Sequence, residues 1–232
     1  MENFVQLPIF GILLTLLGFL LGEKIAKKIN NPALTGLVVA VILIVAFLKI
    51  TGISIEAYQI GGEYVNFFLG PMTLSLAVPM YHKRHILMEN LLPISVGVVV
   101  SSLTAIGSGY LLGRLMGLDW SLILSMLPKN VTTGIAVETS AAIGGIPSLT
   151  VAAVTVAGVF GYGFVESYAK IARFRSPIAK GLASGAASHA MGTKRALEMG
   201  EDVGAVSSLA IALCGIVTSF LLPFVLPLLK AL

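Results

Sequence analysis

The sequence predicts an all-α polytopic membrane protein, a transporter-like inverted-repeat architecture with broken and re-entrant helices. Three observations point there. Hydrophobic residues make up 56% of the 232 and charged residues only 11%, and the mean hydropathy is +0.96, far more apolar than a soluble domain. Apolar stretches recur at lengths near the roughly 20 residues that cross a bilayer as a helix. Prolines, glycines and polar residues interrupt such stretches in both halves, the pattern of transporters built from inverted repeats. Residues 34–48 and 91–100 lack the two-residue alternation of a transmembrane β-barrel. The whole of 1–232 reads as one transmembrane domain with approximate halves 1–115 and 116–232.

The first passage covers residues 5–22. Met1, Glu2 and Asn3 put no basic residue before it, so it reads as a mature helix and not a secretory signal. Lys24, Lys27 and Lys28 form its charged exit, and Asn31-Pro32 breaks the chain before Ala33. Residues 34–50 make the second passage, and Thr51-Gly52 and Gly61-Gly62 flank a link outside the cytoplasm. The third, 64–81, contains Gly70, Pro71 and Pro79, which interrupt or restrict helical backbone. His82-Lys83-Arg84-His85 follows on the cytoplasmic side by the positive-inside rule, and 91–112 is the fourth passage.

Residues 120–127 are apolar but too short to span, and run into Pro128-Lys129-Asn130-Val131-Thr132-Thr133-Gly134. This predicts a half-helix and a re-entrant turn lined by protein or water, because irregular backbone facing lipid is too costly. Gly144, Gly145 and Pro147 mark the next break. Residues 146–165 lead to the basic group Lys170, Arg173, Arg175 and Lys180. The segment 179–191 is rich in small residues, and Gly181, Gly185 and the following Gly192 predict close backbone packing. Residues 203–229, with Pro223 and Pro227, close the chain. Six full spans and two broken segments put both termini outside.

Chemistry concentrates at two places. In the first, Lys129, Asn130, Thr132 and Thr133 can bind a small carboxylate, aided by free N–H groups at a broken helix end. The alternative is a lysine reaching for headgroups and threonines that cap a helix. Glu138 is a candidate proton carrier or the counterion of Lys129. In the second, His189 can exchange a proton near neutral pH, and Thr193 or Arg195 can contact an anion. A packing or capping imidazole is the competing reading. Gly70, Pro71 and Pro79 either expose carbonyls to a passage or merely kink a helix.

Other classes lack their signatures. Cys214 is the only cysteine, so an intrachain disulfide and a cysteine-only metal cluster are excluded. His82 and His85 have ligand-like spacing, but Lys83 and Arg84 between them disfavour a cation. No Walker or dinucleotide fingerprint surrounds Gly144-Gly145, and no nucleophile elbow surrounds Ser140. No enzyme, metal or cofactor is expected. The net charge of +4 is spread between membrane segments, which fits anionic headgroups and not nucleic acid.

Several segments together carry a resemblance. They are Phe68-Leu-Gly-Pro71 to Val-Pro79-Met-Tyr81, Pro128-Lys-Asn-Val-Thr-Thr133, Gly144-Gly-Ile-Pro-Ser-Leu-Thr150, Ala179-Lys-Gly-Leu-Ala-Ser-Gly185, His189-Ala-Met-Gly-Thr193 and Gly204-Ala-Val-Ser-Ser-Leu-Ala210. In this order, and over nearly the full length, the chain resembles the LrgB/CidB family of bacterial inner-membrane proteins. The resemblance implies an LrgA/CidA-like, holin-like membrane partner and an association with murein-hydrolase control and autolysis. It also implies transport of pyruvate or a related small monocarboxylate, since related plastid proteins carry glycolate and glycerate. Proton coupling and homo-oligomerisation stay open. The family's polar segments fall on Lys129 through Thr133, Glu138, and His189 through Thr193. The chain departs from the family's wording at Asn130, where serine is usual, and at Gly134, where a second proline is usual. The first keeps hydrogen-bonding capacity and the second loosens the backbone.

Overall fold

A computed structural model describes residues 2–29, 34–68, 71, 74–75 and 77–231. Regular structure among them is entirely helical. The chain forms two compact units, Met1–Ser75 and Leu76–Leu232.

The first unit holds α1 (Glu2–Val5), α2 (Pro8–Ile29), α3 (Gly36–Thr51) and α4 (Ile55–Phe67). Thr35 and Ser54 cap α3 and α4, each side chain accepting a first-turn N–H. Gly52, at φ 68, ends α3 in the left-handed conformation. The glycines of α2 set how closely its neighbours approach. A Cβ on Gly11 would stand 2.9 Å from the Cα of Gly61 on α4, and one on Gly22 would stand 2.8 Å from the backbone nitrogen of Ala40 on α3. Thr15 fixes the α2–α4 pairing with a 2.9 Å hydrogen bond to the Tyr58 hydroxyl.

The second unit comprises α5 (Ala77–His82), α6 (Arg84–Glu89), α7 (Leu91–Leu115), α8 (Trp120–Met126), α9 (Thr133–Ala142), α10 (Pro147–Ile171), α11 (Pro177–Met199) and α12 (Glu201–Ala231). Among the described residues four helices, α2, α7, α10 and α12, are long and apolar enough to cross a membrane, and α3 is a shorter apolar helix of 16 residues. The chain is thus a multi-spanning α-helical membrane protein. Of the six expected full spans, the one over 64–81 falls partly outside the described residues, as do Gly70 and the break at Asn31-Pro32. Pro71 is exposed. Pro79 lies within α5.

Two apolar clusters hold this unit together. One gathers Ile94 and Val98 of α7, Val131, Val154 of α10, Ala186 of α11, and Val206 and Cys214 of α12. The other packs Ile106 of α7 and Ile123, Leu124 and Leu127 against Leu222. At one edge the Lys83 ammonium, between α5 and α6, pairs with Asp202 at 2.9 Å and Glu201 at 3.4 Å at the start of α12. Hydrogen bonding to Asp202 raises the Lys83 pKa above the usual lysine value.

α11 is not a single rod. Its backbone leaves helical geometry at Ser188 (φ −142°) and His189 (φ 43°). In a straight helix, residues 184 and 192 would lie about 12 Å apart along the axis. Here a Cβ on Gly192 would meet the Ser184 carbonyl and stand 2.9 Å from the Ser188 Cβ. The two halves therefore fold back on each other as a helical hairpin, with Ser188 and His189 at its tip. Both arms lie along α12: a Cβ on Gly185 would come within 2.9 Å of the Ser207 hydroxyl, and Thr193 hydrogen-bonds that same hydroxyl at 2.7 Å. Gly181 and Gly185 stand at the contact of the outgoing arm with α12, and Gly192 at the contact between the two arms.

Gly185→Val should destabilise the protein by about 1–3 kcal/mol through overpacking. Detergent thermal unfolding checks this, and an unchanged melting temperature would contradict the close α11–α12 approach.

Candidate functional site: two helix breaks that meet

The first break lies between α8 and α9. Residues 119–130 run back along α7, with Ile123 against Gly113 and Lys129 against Gly109. The chain then turns through Val131 and Thr132, and α9 returns so that Ile146 donates its N–H to the Ser125 hydroxyl at 2.7 Å. Ser140 and Thr150 join at 2.6 Å beside this return. Gly144, at φ 88, makes the turn into α10, and Pro147 occupies the first position of that helix.

Asn130 ties the first break to the second. Its Nδ2 donates to the carbonyls of Ala187 at 2.9 Å and Ala186 at 3.3 Å. Those carbonyls lie just before the tip of the α11 hairpin, where the helical hydrogen-bond pattern fails at Ser188 and His189. One side-chain amide thus serves two carbonyls beside a helix break. Its Oδ1 is buried without a hydrogen-bond partner.

The charged and polar residues expected at the site are distributed around this junction. Lys129 is half-buried and its ammonium donates to the Ala105 carbonyl of α7 at 3.3 Å. Gly109 makes room for it, since a Cβ there would stand 3.1 Å from Nζ. Thr132 is the N-cap residue of α9, but its side chain makes no capping hydrogen bond. The first turn of α9 therefore presents N–H groups without a side-chain cap, carrying the positive end of the helix dipole. Thr133 is half-buried and Gly134 exposed.

Glu138 lies on an exposed face of α9. The ion pairs among the described residues do not include one between it and Lys129. The lysine extends instead to α7, so the expected counterion contact is not formed. Pro128 is buried, and Gly145 sits where a Cβ would be 3.0 Å from the Ser125 nitrogen.

His189 is buried at the α11 tip, and its Nε2–H donates to the Val154 carbonyl of α10 at 2.9 Å. Its φ of 43° with ψ −137° is a conformation that favours glycine, so the histidine is held under backbone strain. Thr193 faces Ser207 from the returning arm, and Arg195 lies farther along, paired with Glu166 at 3.1 Å and Glu198 at 2.5 Å. Sequence reasoning missed the residues that receive the tip. A Cβ on Gly158 would stand 2.6 Å from the His189 ring, and one on Gly161 would overlap Ser188. Their three-residue spacing on α10 puts both on one helix face, and that spacing is the signal that would have found them.

The fold and this junction define a class: a multi-pass α-helical membrane protein whose polar centre is built where two helix breaks meet. Among the described residues no three metal-ligating side chains gather. The chain belongs to the LrgB-like family, whose sequence model matches residues 15–228. It is 40% identical over 219 residues to the uncharacterized protein YxaC of Bacillus subtilis (strain 168), covering 94% of this chain and 95% of that one. It is 38% identical to the antiholin-like protein LrgB of the same organism, over 93% of this chain and 94% of the relative. To the antiholin-like protein LrgB of Bacillus mycoides (strain KBAB4) it is 37% identical, over 95% of this chain and 96% of the relative. No solved structure matches it. With four helices long and apolar enough to cross a bilayer and these Bacillus relatives, it is a multi-pass protein of the bacterial cytoplasmic membrane.

Asn130→Ala removes the donor shared by the Ala186 and Ala187 carbonyls. It should cost about 1–3 kcal/mol and increase backbone hydrogen exchange around Ser188 and His189. Wild-type exchange at that tip in the variant would show that the amide does not hold the two breaks together.

Proposed function

We propose that the protein is a nonenzymatic, antiholin-like regulator of envelope permeability that acts with an LrgA/CidA-like membrane partner. Its near full-length similarity to antiholin-like LrgB proteins carries this reading. Vesicles containing such a partner should leak a small dye at a rate that changes when this chain is added. The change should disappear when the complex between the two is broken. A leak indifferent to the chain contradicts the regulator reading.

A second reading concerns what moves through the chain itself: secondary transport of pyruvate or a glycolate-like or lactate-like monocarboxylate. The meeting of the two breaks favours it. With α7 and α10 each crossing once, this reading puts the chain after one span and the chain after the next on opposite membrane faces, so the α8–α9 hairpin and the α11 hairpin would enter from opposite sides. Such an entry would match the inverted, re-entrant pattern of transporters with midplane sites. Lys129 and the uncapped first turn of α9 offer positive charge to a carboxylate. The unpartnered Asn130 Oδ1 offers an acceptor to a substrate hydroxyl. Thr132 and Thr133 add hydroxyls, while His189 and Glu138 are the candidates for proton coupling.

Purified protein in liposomes, alone and with its partner, should then take up a monocarboxylate saturably and respond to an imposed proton gradient if coupled. Lys129→Ala should lower that uptake by about tenfold or more, the loss of one charge-assisted hydrogen bond, while insertion stays measurable. Saturable uptake unchanged in the variant would remove Lys129 from the solute site. Dye leakage with no saturable exchange would leave only the regulator reading.

A further inference from the structure

At the base of the α11 hairpin, away from its tip, a cavity of about 510 Å³ opens where α10 ends and α11 begins. Lys170, Arg173, Arg175 and Lys180 line it together with the carboxylates of Glu166 and Glu198. Both carboxylates are already engaged. Arg195 pairs with Glu166 at 3.1 Å and with Glu198 at 2.5 Å, and the Tyr162 hydroxyl donates to Glu198 at 3.2 Å. None of the four lining cations has an ion pair among the described residues. The cavity therefore presents four positive charges, while the two carboxylates in its lining are paired with a fifth, Arg195.

The backbone adds an independent observation. α10 ends in a Schellman turn, with Phe174 N–H donating to the Ala169 carbonyl at 2.9 Å and Arg173 N–H to the Lys170 carbonyl at 3.1 Å. The left-handed position of that turn is where glycine is usual, yet Arg173 occupies it at φ 54. A side chain held against its backbone preference at the rim of a cationic cavity points to a use for its guanidinium.

We propose that this cavity binds a phosphate-bearing anion through Lys170, Arg173, Arg175 and Lys180. Guanidinium groups grip phosphate oxygens in pairs and ammonium groups add point charge. The cavity begins where a membrane-crossing helix ends, so an anionic lipid headgroup and a soluble phosphate both reach it, and they share this chemistry. Lys180 belongs to the outgoing arm of α11 and Glu198 to the returning arm. A bound anion would brace the base of the hairpin whose tip meets Asn130.

Arg173→Gly separates binding from folding, because glycine suits the left-handed position and should leave the melting temperature unchanged or higher. Two arms use the full chain in zwitterionic nanodiscs. One adds phosphatidylglycerol and counts retained lipid by native mass spectrometry. The other titrates inorganic phosphate and pyrophosphate by calorimetry. Wild type should bind saturably in at least one arm, with affinity lowered about tenfold by Arg173→Gly and by the pair Arg175→Ala with Lys180→Ala. Binding in the first arm alone assigns a lipid headgroup, in the second alone a soluble phosphate, and in both a site open to either. No saturable binding in either arm, or equal binding by wild type and both variants, overturns the proposal.

Discussion

The second unit depends on what its chain does with carbonyls at helix breaks. A backbone that reverses inside an apolar slab leaves polar groups that lipid cannot satisfy. Here the Asn130 amide reaches across from one break to the Ala186 and Ala187 carbonyls at the other. The interruption of α11 would be costly alone, and it is answered in part by this side chain from the other break. The same logic recurs in smaller form. His189 spends a ring N–H on the Val154 carbonyl, Ser125 receives the Ile146 N–H, and Thr193 and Ser207 satisfy one another.

Close approach is the second requirement, and glycine supplies it. The α11 tip enters α10 only because Gly158 and Gly161 carry no side chain there, and its outgoing arm lies on α12 only because Gly181 and Gly185 leave room for Val206 and Ser207, as Gly204 of α12 does for Leu197 of the returning arm. In a membrane, where apolar burial gives little drive for helix association, such contacts and interhelical hydrogen bonds carry more of the stability. The arrangement is consequently sensitive to single methyl groups at these positions and tolerant on the lipid-facing side, where Ile216, Phe220, Phe224 and Leu228 are exposed along α12.

Much of this was legible in the sequence, and for physical reasons. Long apolar runs announced α2, α7, α10 and α12, and the short run 120–127 followed by Pro128 announced a broken segment. The small residues of 179–191 announced close packing. What composition does not encode is direction. Nothing in Ser188-His189 signals a reversal, because neither residue is a habitual helix breaker and the turn is imposed by packing against Gly158, Gly161 and Val154. Charge pairing was equally opaque: Lys129 and Glu138 looked like partners by sign, but the lysine lies in the turn and reaches α7 while the glutamate faces outward on α9. Partners such as Ala105, Gly109 and Ser207 contribute a carbonyl, a space and a hydroxyl, none of which marks itself in one sequence.

The transport reading we propose has the two hairpins, whose tips meet at Asn130, enter the bilayer from opposite faces. Labelling single cysteines with a membrane-impermeant thiol reagent tests it most directly, on a Cys214→Ala background in vesicles of known orientation. Cysteines at Arg175 and Glu201, flanking α11, should both react from the cytoplasmic side, and cysteines at Asp119 and Ser148, flanking α8 and α9, should both react from the outer side. Reaction at 175 and 201 from opposite sides would make α11 a single crossing and would contradict the meeting of the two breaks.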